Sequence, residues 1–201
     1  MKRNILPPKF YLSKEIVALS QTLLGKFLVT EINGDLTAGM IIETEAYNGI
    51  IDKASHAYNN RRTRRTETLY CQGGVAYVYL CYGLHHLFNV VTGPKDNPQA
   101  ILIRAIKPTD GISIMLKRRK LTANKPSQFT QGPGTLTQAL GITTHFDGFA
   151  LTDKPVWIED RGIVIPKNEI VASPRVGIDY AQEHRDLPWR FQIFSSPSTR
   201  C

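Results

Sequence analysis

Lys26-Phe27-Leu28-Val29-Thr30-Glu31-Ile32-Asn33-Gly34-Asp35-Leu36-Thr37-Ala38-Gly39-Met40-Ile41-Ile42-Glu43-Thr44-Glu45-Ala46-Tyr47 reads as two apolar-rich segments joined by a tight turn. Asn-Gly is the dipeptide that best accepts two left-handed residues, and that turn's twist matches a pair of antiparallel strands. Lys26 to Ile32 and Ala38 to Tyr47 are therefore expected to pair as a hairpin. Upstream, Ser13 is a candidate helix cap, and Ile16, Leu19, Leu23 and Leu24 recur at helical spacing until Gly25. Downstream, residues 48–74 are polar and basic, hold Asn59-Asn60 and Gly73-Gly74, and read as a long loop of the kind that carries function. Val75 to Tyr82 and Leu87 to Thr92 suit a second hairpin turning at Gly83. Ala100 to Ile106 is a further strand, Thr109 to Lys120 a helix, and Pro133 to Leu140 a helix closed by Gly141. Strands are also expected near Val156 to Ile158, Arg175 to Ile178 and Phe191 to Phe194. Strands joined by hairpins predict an α+β fold, with a curved antiparallel sheet or open barrel as core and peripheral helices.

The chain has 201 residues, which suits a single domain over 1–201. No apolar run is long enough to cross a bilayer, and Pro7, Pro8 and Lys9 break up the stretch after the basic N-terminus, so a soluble, cytoplasmic monomer is expected. Three cysteines, Cys71, Cys81 and Cys201, form no CxxC pair and read as thiols in a reducing compartment. The five histidines lack metal spacing, so neither a metal nor another cofactor is expected. Twenty-five Lys and Arg stand against 17 acidic residues, a formal charge of +8 that suits a polyanion such as DNA, although basic domains without that role exist.

Strand alternation puts Glu43, Glu45 and Tyr47 on one face of their segment, with Ile42, Thr44 and Ala46 on the other. Two carboxylates beside an aromatic ring in an apolar strand are costly unless used or paired, or else they lie on a solvated edge. Spacing alone does not say which glutamate matters. Arg104 sits within Ala100-Ile101-Leu102-Ile103-Arg104-Ala105-Ile106 and needs an acceptor, Glu45 being a candidate, unless it snorkels outwards. Tyr77 and Tyr79 share a face, and Tyr82 stands at the turn; such rings pack in a core or stack on bases. Arg61, Arg62, Arg64 and Arg65 form the densest charge cluster, either a solvated run or a set of phosphate contacts.

Together, Ile42-Glu43-Thr44-Glu45-Ala46-Tyr47, His56, Tyr77-Val78-Tyr79, Tyr82-Gly83, Asn89, Leu102-Ile103-Arg104-Ala105, Gln131-Gly132-Pro133 and Arg175-Val176-Gly177 resemble the alkyladenine (3-methyladenine) DNA glycosylase family of the mammalian type. The resemblance implies hydrolysis of the bond between a damaged purine and its sugar in duplex DNA. It makes Glu45 the general base, with Arg104 and the main chain at Val176 helping to hold the water. It places the displaced base between Tyr47 and His56 on one side and Tyr79 on the other, and Asn89 against the exocyclic amine of guanine. Tyr82 would fill the gap left in the stack, and Leu69 and Leu102 would stand with it at the minor groove. The four arginines would meet the backbone. Flipping the nucleotide out fits this chemistry, since an atom inside a duplex is unreachable. No lysine stands within the matched pocket segments, which implies a monofunctional enzyme that leaves an abasic site. Two other readings stay open: a non-catalytic binder of damaged DNA, and a glycoside hydrolase using Glu43 and Glu45 as its carboxylate pair.

Overall fold

A computed structural model describes residues 3–122 and 129–194. The first hairpin forms as expected, with β1 at Phe27–Ile32 and β2 at Asp35–Tyr47. Asn33 and Gly34 both take positive φ, 52° and 84°, as that turn demands. The second hairpin joins β3, Ala76–Cys81, to β4, His85–Thr92. After them come β5, Gln99–Asp110, β6, Thr152–Asp153, β7, Val156–Glu159, β8, Ile170–Ser173, and β9, Arg190–Ile193. The sheet runs β3-β4-β5-β2-β1-β7-β6, antiparallel throughout, with β9 also joined to β2 and β8 to β9. The expected α+β fold with a curved antiparallel sheet is the one adopted.

β2 holds the centre because it is long enough to serve several partners. Its first half pairs with β1, while Glu43, Thr44 and Glu45 pair with β9 on that side and with β5 on the other. The register is irregular here: Glu43 faces Ala105, and regular pairing resumes at Thr44 with Ile103, which leaves Arg104 without a directly opposed residue. Such irregularities re-aim side chains.

Three helices cover one face: α1, Ile16–Thr22, α2, Ile112–Arg118, and α3, Pro133–Leu140. Val78, Phe88, Val90, Ile101 and Ile103 point into that core with Leu19, Leu23, Leu136 and Leu140. The alternate residues of the same strands point to the opposite, concave face, where the site lies.

Local boundaries differ from expectation at four places. Ser13 lies ahead of α1, and its hydroxyl accepts from the Glu15 N–H rather than capping the helix proper. Thr109 and Asp110 belong to β5, and α2 starts only after Gly111, whose left-handed φ of 67° ends the strand. Residues 48–74 form a packed segment with three short 3-10 turns, anchored by the buried side chains of Leu69 and Tyr70. Arg175 to Ile178 is not a strand, because Arg175 turns inwards to a buried carboxylate and the chain continues into a 3-10 turn at Asp179–His184. Strand β8 is not among the expected strands: it is only four residues long, and its apolar Val171 and Ala172 are exposed.

Among the described residues, no helix is long and apolar enough to cross a membrane, and no group of His, Cys, Asp and Glu could hold a metal ion. Cys71 and Cys81 are free thiols, and Cys201 lies outside the described residues.

Candidate active site

One row of cross-strand neighbours crosses the concave face: Tyr77 faces Asn89, Asn89 faces Leu102, Leu102 faces Glu45, and Glu45 faces Arg190. Directly opposed residues share a face, so separate sequence segments converge without help from any loop. A cavity of about 440 Å³ opens over this row, lined among others by Tyr47, His56, Arg65, Tyr77, Tyr79, Asn89, Arg104 and Val176. That volume and that lining suit a flat ring of ligand size.

Glu45 lies behind the cavity wall and is 0% exposed. Its Oε1 accepts from the Val176 N–H at 2.8 Å and stands 3.4 Å from Arg104 Nη1, and its Oε2 accepts from the Tyr47 hydroxyl at 2.7 Å. Burial pushes its carboxyl above the ordinary value. Arg104, the Val176 N–H and the Tyr47 hydroxyl pull it back, and Glu43 adds to the upward push. The expected pairing with Arg104 is present, but Glu43 takes the closer contact, accepting from Arg104 Nε at 2.8 Å and from Arg190 Nε at 2.6 Å. Two arginines thus neutralise Glu43 and leave Glu45 as the carboxylate next to the cavity. In the free protein Arg104 and the Val176 N–H contact the carboxylate itself. The Tyr47 hydroxyl occupies Oε2 in the free protein.

The aromatic groups are in place but closed up. His56 meets Tyr79 edge to face with centroids 4.6 Å apart, and its Nδ1 shares a hydrogen bond of 3.0 Å with the Tyr77 hydroxyl. A ring stacked between two others needs roughly 7 Å, twice the contact distance of carbon atoms, so His56 and Tyr79 must part to admit one. Burial, then Arg65 and Arg61, push the His56 imidazole down to about 4. It is neutral near pH 7 and does not repel a cationic ring. Arg65 itself lies over the Tyr79 ring, 5.2 Å from its centroid. Asn89, 4% exposed, is fixed in the floor by donating from Nδ2 to the Tyr77 carbonyl at 3.1 Å.

At the rim, Tyr82 is 92% exposed at the tip of the second hairpin, with Leu84 beside it. Leu69 and Leu102 are not there: each is 3% exposed. Leu102 alternates into the floor with Asn89 and Glu45, and Leu69 packs with Tyr70 and Tyr77 beneath the 48–74 segment, so both line the cavity from inside. The arginine cluster also divides. Arg62 is bound to Glu67 at 2.6 Å and Asp96 at 2.8 Å and lies over the Tyr70 ring. Arg61, Arg64 and Arg65 have no ion-pair partner among the described residues. Sequence reasoning missed Arg190, Asp52 and Tyr180; each reaches the site through tertiary contact, and no spacing signals it.

A family model for methylpurine-DNA glycosylases matches residues 9–197. A protein of Chlamydia felis named "Putative 3-methyladenine DNA glycosylase" is 50% identical over 190 residues, covering 94% of this chain and 96% of its own. One of Bacillus licheniformis with the same name is 46% identical over 188 residues, covering 94% and 92%. The chain belongs to the methylpurine-DNA glycosylase family.

Proposed function

We propose that this protein is a monofunctional DNA glycosylase that turns damaged purines, 3-methyladenine among them, out of duplex DNA and hydrolyses their N-glycosidic bond. The observation that carries the proposal is Glu45, a buried carboxylate with weakened acidity, in contact with Tyr47, Arg104 and Val176, which line an aromatic cavity. Family membership and the names of the relatives support the reaction class.

In this reading the extruded base stacks on the Tyr79 face after His56 and Arg65 give way, and Tyr47 closes over it. Stacking contributes roughly 1 to 3 kcal/mol per base, with added attraction for a cationic purine. Asn89 on the floor crowds the exocyclic amine of a normal guanine. Movement of Tyr47 frees Glu45 Oε2 for a water, which Glu45 deprotonates as it attacks the sugar carbon, while the carboxylate stabilises the cationic sugar. The proton passes to Glu45, and the purine leaves with the bonding electrons. Among the described residues the cavity wall carries no lysine, and Lys53 nearby is held by Glu183 at 2.9 Å and by Gln182, which favours hydrolysis that leaves an abasic site over attack by an amine.

The glycoside hydrolase reading is disfavoured, since Arg104 joins Glu43 to Glu45 and leaves no sugar-sized space between them. Single-turnover release of 3-methyladenine, hypoxanthine and ethenoadenine from duplexes decides between enzyme and binder. Release of at least one is the expected result; tight binding without any release leaves only damage recognition.

Duplex contact is assigned to the rim, with Tyr82 as wedge and Arg61, Arg64 and Arg65 on phosphates. Removing Arg61 or Arg64 is then expected to flatten the salt dependence of duplex affinity by roughly 0.9 in log–log slope each. Arg62→Ala leaves the slope unchanged, because Glu67 and Asp96 already neutralise that residue. Fluorescence anisotropy across a salt series checks both, and equal slopes for all variants would return the cluster to a solvated surface.

A further inference from the structure

Behind Tyr47 lies an ion pair sealed from water: the side chains of Arg175 and Asp52 are both 0% exposed. Asp52 Oδ1 accepts from Arg175 Nη2 at 2.9 Å and from the Ala54 N–H at 3.0 Å, and Oδ2 accepts from Arg175 Nη1 and from the Asn48 N–H at 3.1 Å. Arg175 Nη1 also donates to the Ala46 carbonyl at 2.8 Å, and Nη2 to that of His184 at 3.2 Å. The guanidinium lies between two rings, 4.8 Å from Tyr47 and 5.1 Å from Trp189. Such a pair adds little net stability over apolar packing, because both charges are stripped of water. What it does add is a fixed position.

Two of its contacts and its chain neighbour converge on the proposed catalytic group. Ala46 lies between Glu45 and Tyr47, the Tyr47 ring backs onto the guanidinium, and the next residue, Val176, donates its N–H to Glu45. We propose that Arg175, oriented by Asp52, is a positioning residue that sets the Val176 N–H on Glu45 and the angle of Tyr47, and so tunes the basicity of Glu45 from outside the cavity. The inference rests on the glycosylase reading above. The bidentate fork and the two stacking faces need arginine, since lysine is a point charge that matches neither.

The groups that face Glu45 are Arg104 from β5, Glu43 and Tyr47 from β2, Arg190 from β9 by way of Glu43, and the Val176 N–H with Arg175 behind it. Against Asp52 stands His184, whose Nδ1 is 3.8 Å away and accepts from the Lys53 N–H. Arg175→Lys and Asp52→Glu keep every charge in this set. A changed pH response therefore reports geometry. The Val176 N–H favours ionised Glu45, so weakening it raises the pH at which Glu45 ionises and moves the acid limb of the rate profile upwards.

The experiment is single-turnover base release against pH for wild type, Arg175→Lys and Asp52→Glu, paired with a carbon-13 titration of the Glu45 carboxyl in the free proteins. Arg175→Lys is expected to slow release at least about tenfold and to raise the acid limb and the titration midpoint by about half a pH unit, with Asp52→Glu moving both the same way. A slower rate with an unmoved limb and midpoint overturns the proposal and makes the pair a scaffold only. Release by wild type of none of the lesions strikes the glycosylase reading instead, and the titration then still decides whether Arg175 sets Glu45. Should Asp52→Glu not fold, Arg175→Lys alone decides the matter.

Discussion

Glu45→Gln is expected to lower single-turnover base release by roughly a thousandfold or more, while duplex affinity stays within about tenfold. The substitution keeps the shape of the side chain and removes the negative charge. In the proposed reaction it removes both the proton acceptor and the anion beside the cationic sugar. Affinity is retained because Glu45 is sealed behind Tyr47 and does not touch the duplex-facing surface. Burial sets the direction of the pH response. With its carboxyl above the ordinary value, wild-type activity is low while Glu45 is protonated and climbs to a plateau as it ionises, whereas the residual activity of Glu45→Gln lacks that limb. Rapid-quench assays with a binding titration on the same duplex read both quantities. Parallel loss of binding and turnover would place Glu45 in a structural role.

Tyr82→Gly is expected to separate stability from function. Tyr82 sits at φ 50° with 92% of its surface exposed. A left-handed residue with a side chain costs roughly 1 to 2 kcal/mol that glycine does not, and glycine loses part of that gain as extra freedom in the unfolded chain. Thermal stability should therefore hold or rise, by up to about 1 kcal/mol or ~2–4 °C in Tm. Base release should fall about a hundredfold, since no wedge remains to hold open the vacated stack. Calorimetry and single-turnover release, run on one preparation, check the pair of outcomes. Unchanged release would remove Tyr82 from the proposed mechanism, and a lower Tm would show that its ring packs on something in the free protein.

Alternation and turn chemistry make much of the architecture legible in advance. Asn33-Gly34 marks the central hairpin, Pro133 and Gly141 mark the ends of α3, and alternation puts Glu43, Glu45 and Tyr47 on one face. The failures share a physical cause: each depends on contacts distant in sequence. Arg175 to Ile178 carries an apolar pattern, yet the pull of Asp52 on Arg175 overrides it. Leu69 and Leu102 look equally suited to a rim or a floor, and only the packing of residues 48–74 and the register of β5 settle their direction. Arg62 cannot be told from Arg61 by composition, since the difference lies in how the folded segment aims Arg62 at both Glu67 and Asp96, the latter 34 positions away. His56 and Tyr79 do meet in one cavity, but no sequence rule says that the two rings touch in the free protein.

Strand β2 is gripped on both flanks where it carries Glu45, by β5 on one side and β9 on the other, whereas the side chains of Tyr82, Arg61 and Arg64 are exposed. In the proposed reading, chemistry and duplex contact are thereby housed in parts of unequal freedom to change. In the proposed reading, drift at Arg61 or Arg64 retunes how long the protein lingers on undamaged duplex, whereas a change at Arg65, which lines the cavity and lies over Tyr79, or near the middle of β2 reaches the reaction itself.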